Sequence, residues 1–166
     1  MAIKVLKLLC AVLATAAVLL CGCTKRNAPN PPELHFQADF TADYHGIHPA
    51  GSLTRTRQGV CTMTFTAPQT LAGLQLCCKD GEIALSREEA AATADEPYLP
   101  DDSFPMLLCA LLQDAADNTA PDGNTYPISF PSGDGTLTVD DRRLPVGAEI
   151  PAAEFAVSFS HCEPLD

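Results

Sequence analysis

Four histidines and eight cysteines have the widest chemical repertoire of the side chains in this 166-residue chain. His45 and His48 stand three apart and Cys77 and Cys78 are adjacent, with Cys61, Cys109, His161 and Cys162 elsewhere. A structural zinc site needs two close-spaced ligand pairs of the Cys-x2-Cys kind. Adjacent residues of a strand point to opposite faces, which disfavours chelation by both Cys77 and Cys78. Cys61, Cys78 and Cys109 fall on apolar faces, as small core residues do. Neither a metal nor any other cofactor is expected. Nucleophilic catalysis needs an activated nucleophile, a base and an orienting carboxylate. There is no Gly-x-Ser-x-Gly elbow, and the histidines fall near strand ends or turns without an evident carboxylate partner. Asp101-Asp102 and Asp140-Asp141 lie in turn contexts, where a solvated loop explains paired acids. "SGDGT" (132–136) is glycine-rich but leads into a strand, so no helix dipole faces a phosphate. The chain is therefore not expected to be an enzyme.

The remaining cysteines tell where the chain goes. Lys4 and Lys7 open it, and Leu8 to Leu20 is apolar apart from Thr15. That run is shorter than the roughly 20 apolar residues of a membrane span and ends in small residues, the pattern of an export signal. "Leu20-Cys21-Gly22-Cys23" resembles a bacterial lipobox, in which the cysteine that becomes the first mature residue carries diacylglycerol. Cys23 is the expected lipidation site, because its cut follows Gly22, whereas a cut before Cys21 would follow bulky Leu20. The competing readings are an uncleaved anchor and a secreted chain with a spare cysteine. On the lipobox reading, residues 1–22 are a signal peptide and 23–33, polar and proline-rich, a flexible tether. The domain follows at 34–162, with a tail at 163–166. Acyl chains contribute about 0.8 kcal/mol per buried methylene, enough with two chains for durable anchoring to the bilayer. The expected location is the extracytoplasmic face of the cell membrane, with outer-membrane attachment compatible in a two-membrane cell.

The formal net charge is −11, and loss of residues 1–22 with their two lysines leaves 8 Lys and Arg against 21 Asp and Glu, about −13. Nucleic acid is not an expected partner, since binding a polyanion needs clustered cations. An anionic bilayer repels such a domain, so the tether rather than the surface holds it there. Besides Cys23 the mature chain keeps Cys61, Cys77, Cys78, Cys109 and Cys162, an odd number that leaves at least one thiol unpaired. Export permits disulfides without requiring them, and free thiols are expected.

The elements that must position these residues are mostly strands. In "HFQADFTADY" (35–44), Phe36, Ala38, Phe40, Ala42 and Tyr44 share one face and Gln37, Asp39, Thr41 and Asp43 the other. "VCTMTFT" sets Cys61, Met63 and Phe65 against three threonines. Leu74, Leu76 and Cys78 share a face, "KDG" (79–81) makes a hairpin turn, and Ile83 and Leu85 resume beyond it. "SLTRTRQG" (52–59), polar with only Leu53 clearly apolar, suits a sheet edge. "EEAAATADE" (88–96) reads as a weak helical turn or a mobile loop. Tyr126, Ile128 and Phe130 alternate before a "PSGDG" turn, then Leu137 and Val139, and finally Phe155, Val157 and Phe159. One helix stands out over 103–116, capped by Asp101 or Asp102, with Phe104, Leu107, Leu108, Leu111, Leu112 and Ala115 forming a single stripe. The fold class is mainly β with helix, about eight strands in an incomplete antiparallel barrel covered by one main helix.

"FTADY…GSLTRTRQGVCTMTFTAPQTLAGLQLCCKDGEIALS", with the later "GTLTVDDRRLPVGAEIP", resembles the lipoprotein-carrier, or LolA-like, superfamily over roughly residues 33–160. The matching positions are Phe40, Gly51, Leu53, Arg55, Arg57, Gly59, Phe65, Pro68, Asp80 and Gly81. The resemblance implies a half-barrel plugged by helices, with a cavity for acyl chains, in carriers, lipid-binding lipoproteins or germination lipoproteins that bind protein partners. The chain departs from the pattern in its lipidation, its length, its single strong helix and its lack of Trp. Phe36, Phe40, Met63, Phe65, Leu74, Leu76, Phe104, Leu108, Phe130, Phe155 and Phe159 would line the cavity. Two readings follow. In one, a membrane-anchored lipoprotein binds an apolar ligand, a lipid or acylated protein. In the other, a non-catalytic scaffold with a filled core binds an envelope protein.

Overall fold

A computed structural model describes residues 31–79, 82–95, 100, 102–117, 121–130 and 133–166. Among these, ten strands form one open antiparallel sheet. They are β1 (Phe36–Tyr44), β2 (Ala50–Arg55), β3 (Cys61–Ala67), β4 (Gln75–Lys79), β5 (Glu82–Arg87), β6 (Ala90–Asp95), β7 (Thr125–Phe130), β8 (Gly133–Val139), β9 (Pro145–Ile150) and β10 (Phe155–Pro164). Their order is β6-β5-β4-β3-β2-β1-β10-β9-β8-β7, so β6 and β7 are the edges and do not pair with each other. The protein is thus α+β with an open sheet. Among the described residues one α-helix, α1 (Phe104–Asp117), carries the chain from the β6 edge to the β7 edge.

This order corrects three local expectations. Residues 52–55 lie in β2, between β1 and β3, rather than at an edge, because β10 returns beside β1 and puts the chain's first strand in the middle of the sheet. Residues 90–95 form β6 rather than a helical turn or loop, through register pairing of Leu85 with Ala92 and Arg87 with Ala90. Gly133 and Asp134 belong to β8 instead of a turn, since Phe130 pairs directly with Gly133. β10 runs to Pro164, and the Leu165 N–H donates to the His35 carbonyl at 3.0 Å, so the sheet takes in most of the expected tail. The end of the segment expected to be a tether is bonded to the domain: the Glu33 N–H donates to the Arg143 carbonyl at 2.9 Å, and Arg143 donates to the Pro31 carbonyl at 2.7 Å. Residues 1–30, which hold the expected signal segment and Cys23, lie outside the described residues, as do Asp80 and Gly81.

The alternation read in β1 holds in space: Phe36, Ala38, Phe40 and Ala42 are buried, and Gln37, Asp39, Thr41 and Asp43 are exposed. Helix α1 buries the six residues of its stripe. Its first i to i+4 bond runs from the Leu107 N–H to the Ser103 carbonyl, which puts Ser103 rather than Asp102 at the N-cap position, though the Ser103 hydroxyl makes no hydrogen bond; Asp101 lies outside the described residues. Fourteen residues make a helix about 21 Å long, whereas ten flat strands would span roughly 43 Å, so α1 covers only part of the inner face. The uncovered part lies toward β5 and β6, where burial fades from Ile83 to the exposed Ala90, Ala91 and Ala92.

Candidate functional site

The residues expected to line a cavity divide into two groups. Phe36, Phe40, Met63, Phe65, Leu76, Phe104, Leu108, Phe155 and Phe159 are all buried in one core, while Leu74 and Phe130 are partly buried at its margin. The buried rings pack on one another. Phe104, at the start of α1, has its ring centroid 5.8 Å from Phe40, 6.2 Å from Phe65 and 5.6 Å from Phe155, and Phe40 meets Phe65 edge-on at 5.8 Å. Gly51 makes this possible. It stands between Phe40 and Phe65 in the register, and a Cβ there would lie 2.0 Å from the Thr64 carbonyl oxygen. The side chains expected around an acyl chain therefore contact each other.

At the uncovered end the inner face stays open. Leu74, Leu85, Ala90, Ala91 and Ala92, with Ser86 and Arg87, surround a shallow pocket of about 200 Å³. Arg87 holds one wall by donating to the Thr70 carbonyl at 3.2 Å and to the Ala72 carbonyl. A pocket of this size lies below the usual small-molecule range of about 300–1,000 Å³ and suits one apolar side chain or the tip of an acyl chain. Beside it, β6 pairs only with β5 among the described residues. The opposite edge carries Pro127, a residue that blunts edges by removing a donor.

A buried polar cluster lies between these regions. Ile83, Cys78, Cys61, Arg55 and Phe36 are successive register partners across β5, β4, β3, β2 and β1. Arg55 is only 5% exposed; it donates to the Leu34 carbonyl at 3.1 Å and to the Gln113 side-chain oxygen at 3.2 Å. Cys109, one turn before Gln113 on α1, packs against this core close enough to Cys61 and Cys78 for the thiols to shift one another's ionisation. The Cys109 thiol favours the Cys61 thiolate, burial opposes it, and the Arg55 guanidinium adds to the downward shift. Cys109 is pushed well up by its two thiol partners and by burial. All five cysteines in the described residues are free thiols, and none of their His, Cys, Asp or Glu groups could hold a metal ion.

Three of the four histidines do have carboxylate partners, contrary to the expectation from sequence. His161 pairs with Asp39 at 3.0 Å, His45 with Glu154 at 3.3 Å and His48 with Asp43 at 3.9 Å. The first two pairs join residues more than a hundred positions apart, which no local pattern reveals. Asp39 stands opposite Ser52 in the ladder, and with His161 both line a polar groove of about 360 Å³. A serine, a histidine and an aspartate thus share a site, but the Asp39 and His161 side chains are 60% and 83% exposed. Water competes for both groups, and the ladder of β1 with β10 is irregular between Gln37 and Asp39, beside this site. The groove has polar contacts to offer a ligand.

No protein-family model matches the sequence, and comparison with curated proteins gives no match.

Proposed function

We propose that the chain is a bacterial lipoprotein, held at the extracytoplasmic face of the membrane by acylated Cys23, whose domain acts by binding as a non-catalytic scaffold. Its partner is an extended segment of an envelope protein that adds to β6 and inserts one apolar side chain beside Leu74 and Leu85. The observation that carries this reading is the unpaired β6 edge next to an apolar socket. Strand addition combines main-chain hydrogen bonds with pockets for alternate side chains, which are the two features found together there. Exposed Glu88 and Glu89 precede β6, and the whole domain is acidic, so the segment should carry Lys or Arg beside its apolar residues.

A second reading has an apolar ligand, a lipid or the acyl group of a lipoprotein, in the same socket. The apolar lining supports it, as does the resemblance to LolA-like proteins. The two are separated with the full chain and two fluorescent probes. One is an extended peptide of alternating threonine and apolar residues with lysine at both ends; the other is a fatty acid. The peptide should bind, and Ala92→Lys, at an exposed position, should weaken it roughly tenfold or more, about 1.4 kcal/mol. Binding of the fatty acid alone, lost in Ala92→Lys, would replace the scaffold with the lipid reading. Binding of neither would overturn both.

The anchor is tested separately. Cys23→Ser should leave unprocessed precursor and abolish labelling by a radioactive fatty acid, while Cys21→Ser should be processed and labelled. The reverse pattern would move the lipidation site to Cys21.

A further inference from the structure

The row of side chains under α1 brings three thiols together without joining them. Cys61 and Cys78 are cross-strand neighbours, both buried, and Cys109 packs against the same core one turn before Gln113, whose side chain is bonded to the Arg55 that pairs with Cys61. We infer that Cys61 and Cys109 form a redox site, closing to a disulfide that ties the helix to the sheet when the chain meets a small-molecule disulfide oxidant. This goes beyond the binding reading and does not depend on it.

The choice of Cys61 follows from its neighbours. Arg55 is its register partner on β2 and is fixed by bonds to Leu34 and Gln113, so a permanent cation stands beside this thiol. Thiolates rather than thiols attack disulfides, and nearby cations favour them. The Cys61 thiolate attacks one sulfur of the oxidant, forming a mixed disulfide and expelling one thiolate. Cys109 then loses its proton to solvent and attacks the Cys61 sulfur, expelling the second half of the oxidant as thiolate. In total the protein gives up two protons and two electrons, one disulfide is reduced to two thiols, and one is formed. Cys162 lies outside the row, its thiol pushed up to about 11 by burial and by Asp140. Cys77, on the opposite face from Cys78, is also outside it.

The bond would link residues on β3 and α1 and so restrict the unfolded chain over a long loop, a constraint that stabilises in proportion to the logarithm of loop length. The test takes the full chain in detergent through two treatments with oxidised glutathione. One treats the folded, reduced protein; the other refolds it from urea in the oxidant, which reaches thiols that the closed helix would shield. Each product is digested without reduction and mapped by mass spectrometry. The expected result is a peptide pair joined through Cys61 and Cys109, with a melting temperature raised by roughly 5–15 °C that falls back in dithiothreitol. Cys109→Ala should lose both effects and Cys77→Ser should keep them. Joining of Cys109 to Cys78, or Cys61 and Cys109 unlinked after both treatments, would overturn the inference.

Discussion

Leu108→Asp should unfold the domain at room temperature, with loss of the cooperative melt. Leu108 is fully buried in the middle of the stripe that α1 lays on the sheet. An aspartate there loses the transfer energy of a leucine and carries a carboxylate among apolar side chains. Losing the leucine contacts alone costs about 2–5 kcal/mol, and an unpaired buried polar group adds further cost. The sum approaches the whole stability of a domain this size, about 5–15 kcal/mol. The matched control is Gln113→Asp on the exposed flank. The Gln113 side-chain oxygen accepts from Arg55, so a carboxylate there meets a cation that already points at it. Circular dichroism melts of the two variants should therefore diverge by tens of degrees, and equal losses would mean that the helix packs on another face.

That helix was legible because its signal is local. Six large or small apolar residues recur with the helical period, and burial follows the stripe residue by residue. The strands that alternate strongly, β1, β3 and β10, were legible for the same reason. The features that escaped are the ones set by partners distant in the chain. Alanine-rich 90–95 has no strand preference of its own and becomes β6 by pairing with β5. Arg55 looks like an edge residue in "SLTRTRQG", and only the return of β10 beside β1 places its strand in the interior.

The candidate site divides along the same line. Which phenylalanines face inward could be read from period two, but whether they surround a space could not, because that depends on how rings from β1, β3, β10 and α1 meet. They meet at centroid separations of 5.6–6.2 Å around Phe104. The pairing of His161 with Asp39 spans 122 positions and had no local signal. A cue for the thiol cluster was present. Cys61 and Cys78 lie on the inward faces of adjacent strands, and Cys109 is one turn before Gln113 beside the helix stripe. What was missing was the register that sets Arg55 against Cys61.

Phe65→Ala should cost about 3–5 kcal/mol and lower the melting temperature by roughly 10–20 °C, because Phe65 is 4% exposed and its ring meets both Phe40 and Phe104. The size of this loss separates a filled core from an open one. A side chain lining an existing cavity has fewer partners to lose, and its truncation should be mild in melting but severe in ligand uptake. The informative measurement is therefore a pair, the melt and the binding of a fluorescent fatty acid, in wild type and in Phe65→Ala. With rings packed as they are, a large melting loss is expected, and any fatty acid held by the Leu74 and Leu85 socket should remain bound at temperatures where the variant is folded. If instead wild type bound the probe, and Phe65→Ala kept its melting temperature while releasing it, the ligand would lie under α1. The helix would then be a movable cover, and the scaffold reading would give way to a lipid binder whose cavity opens only when occupied.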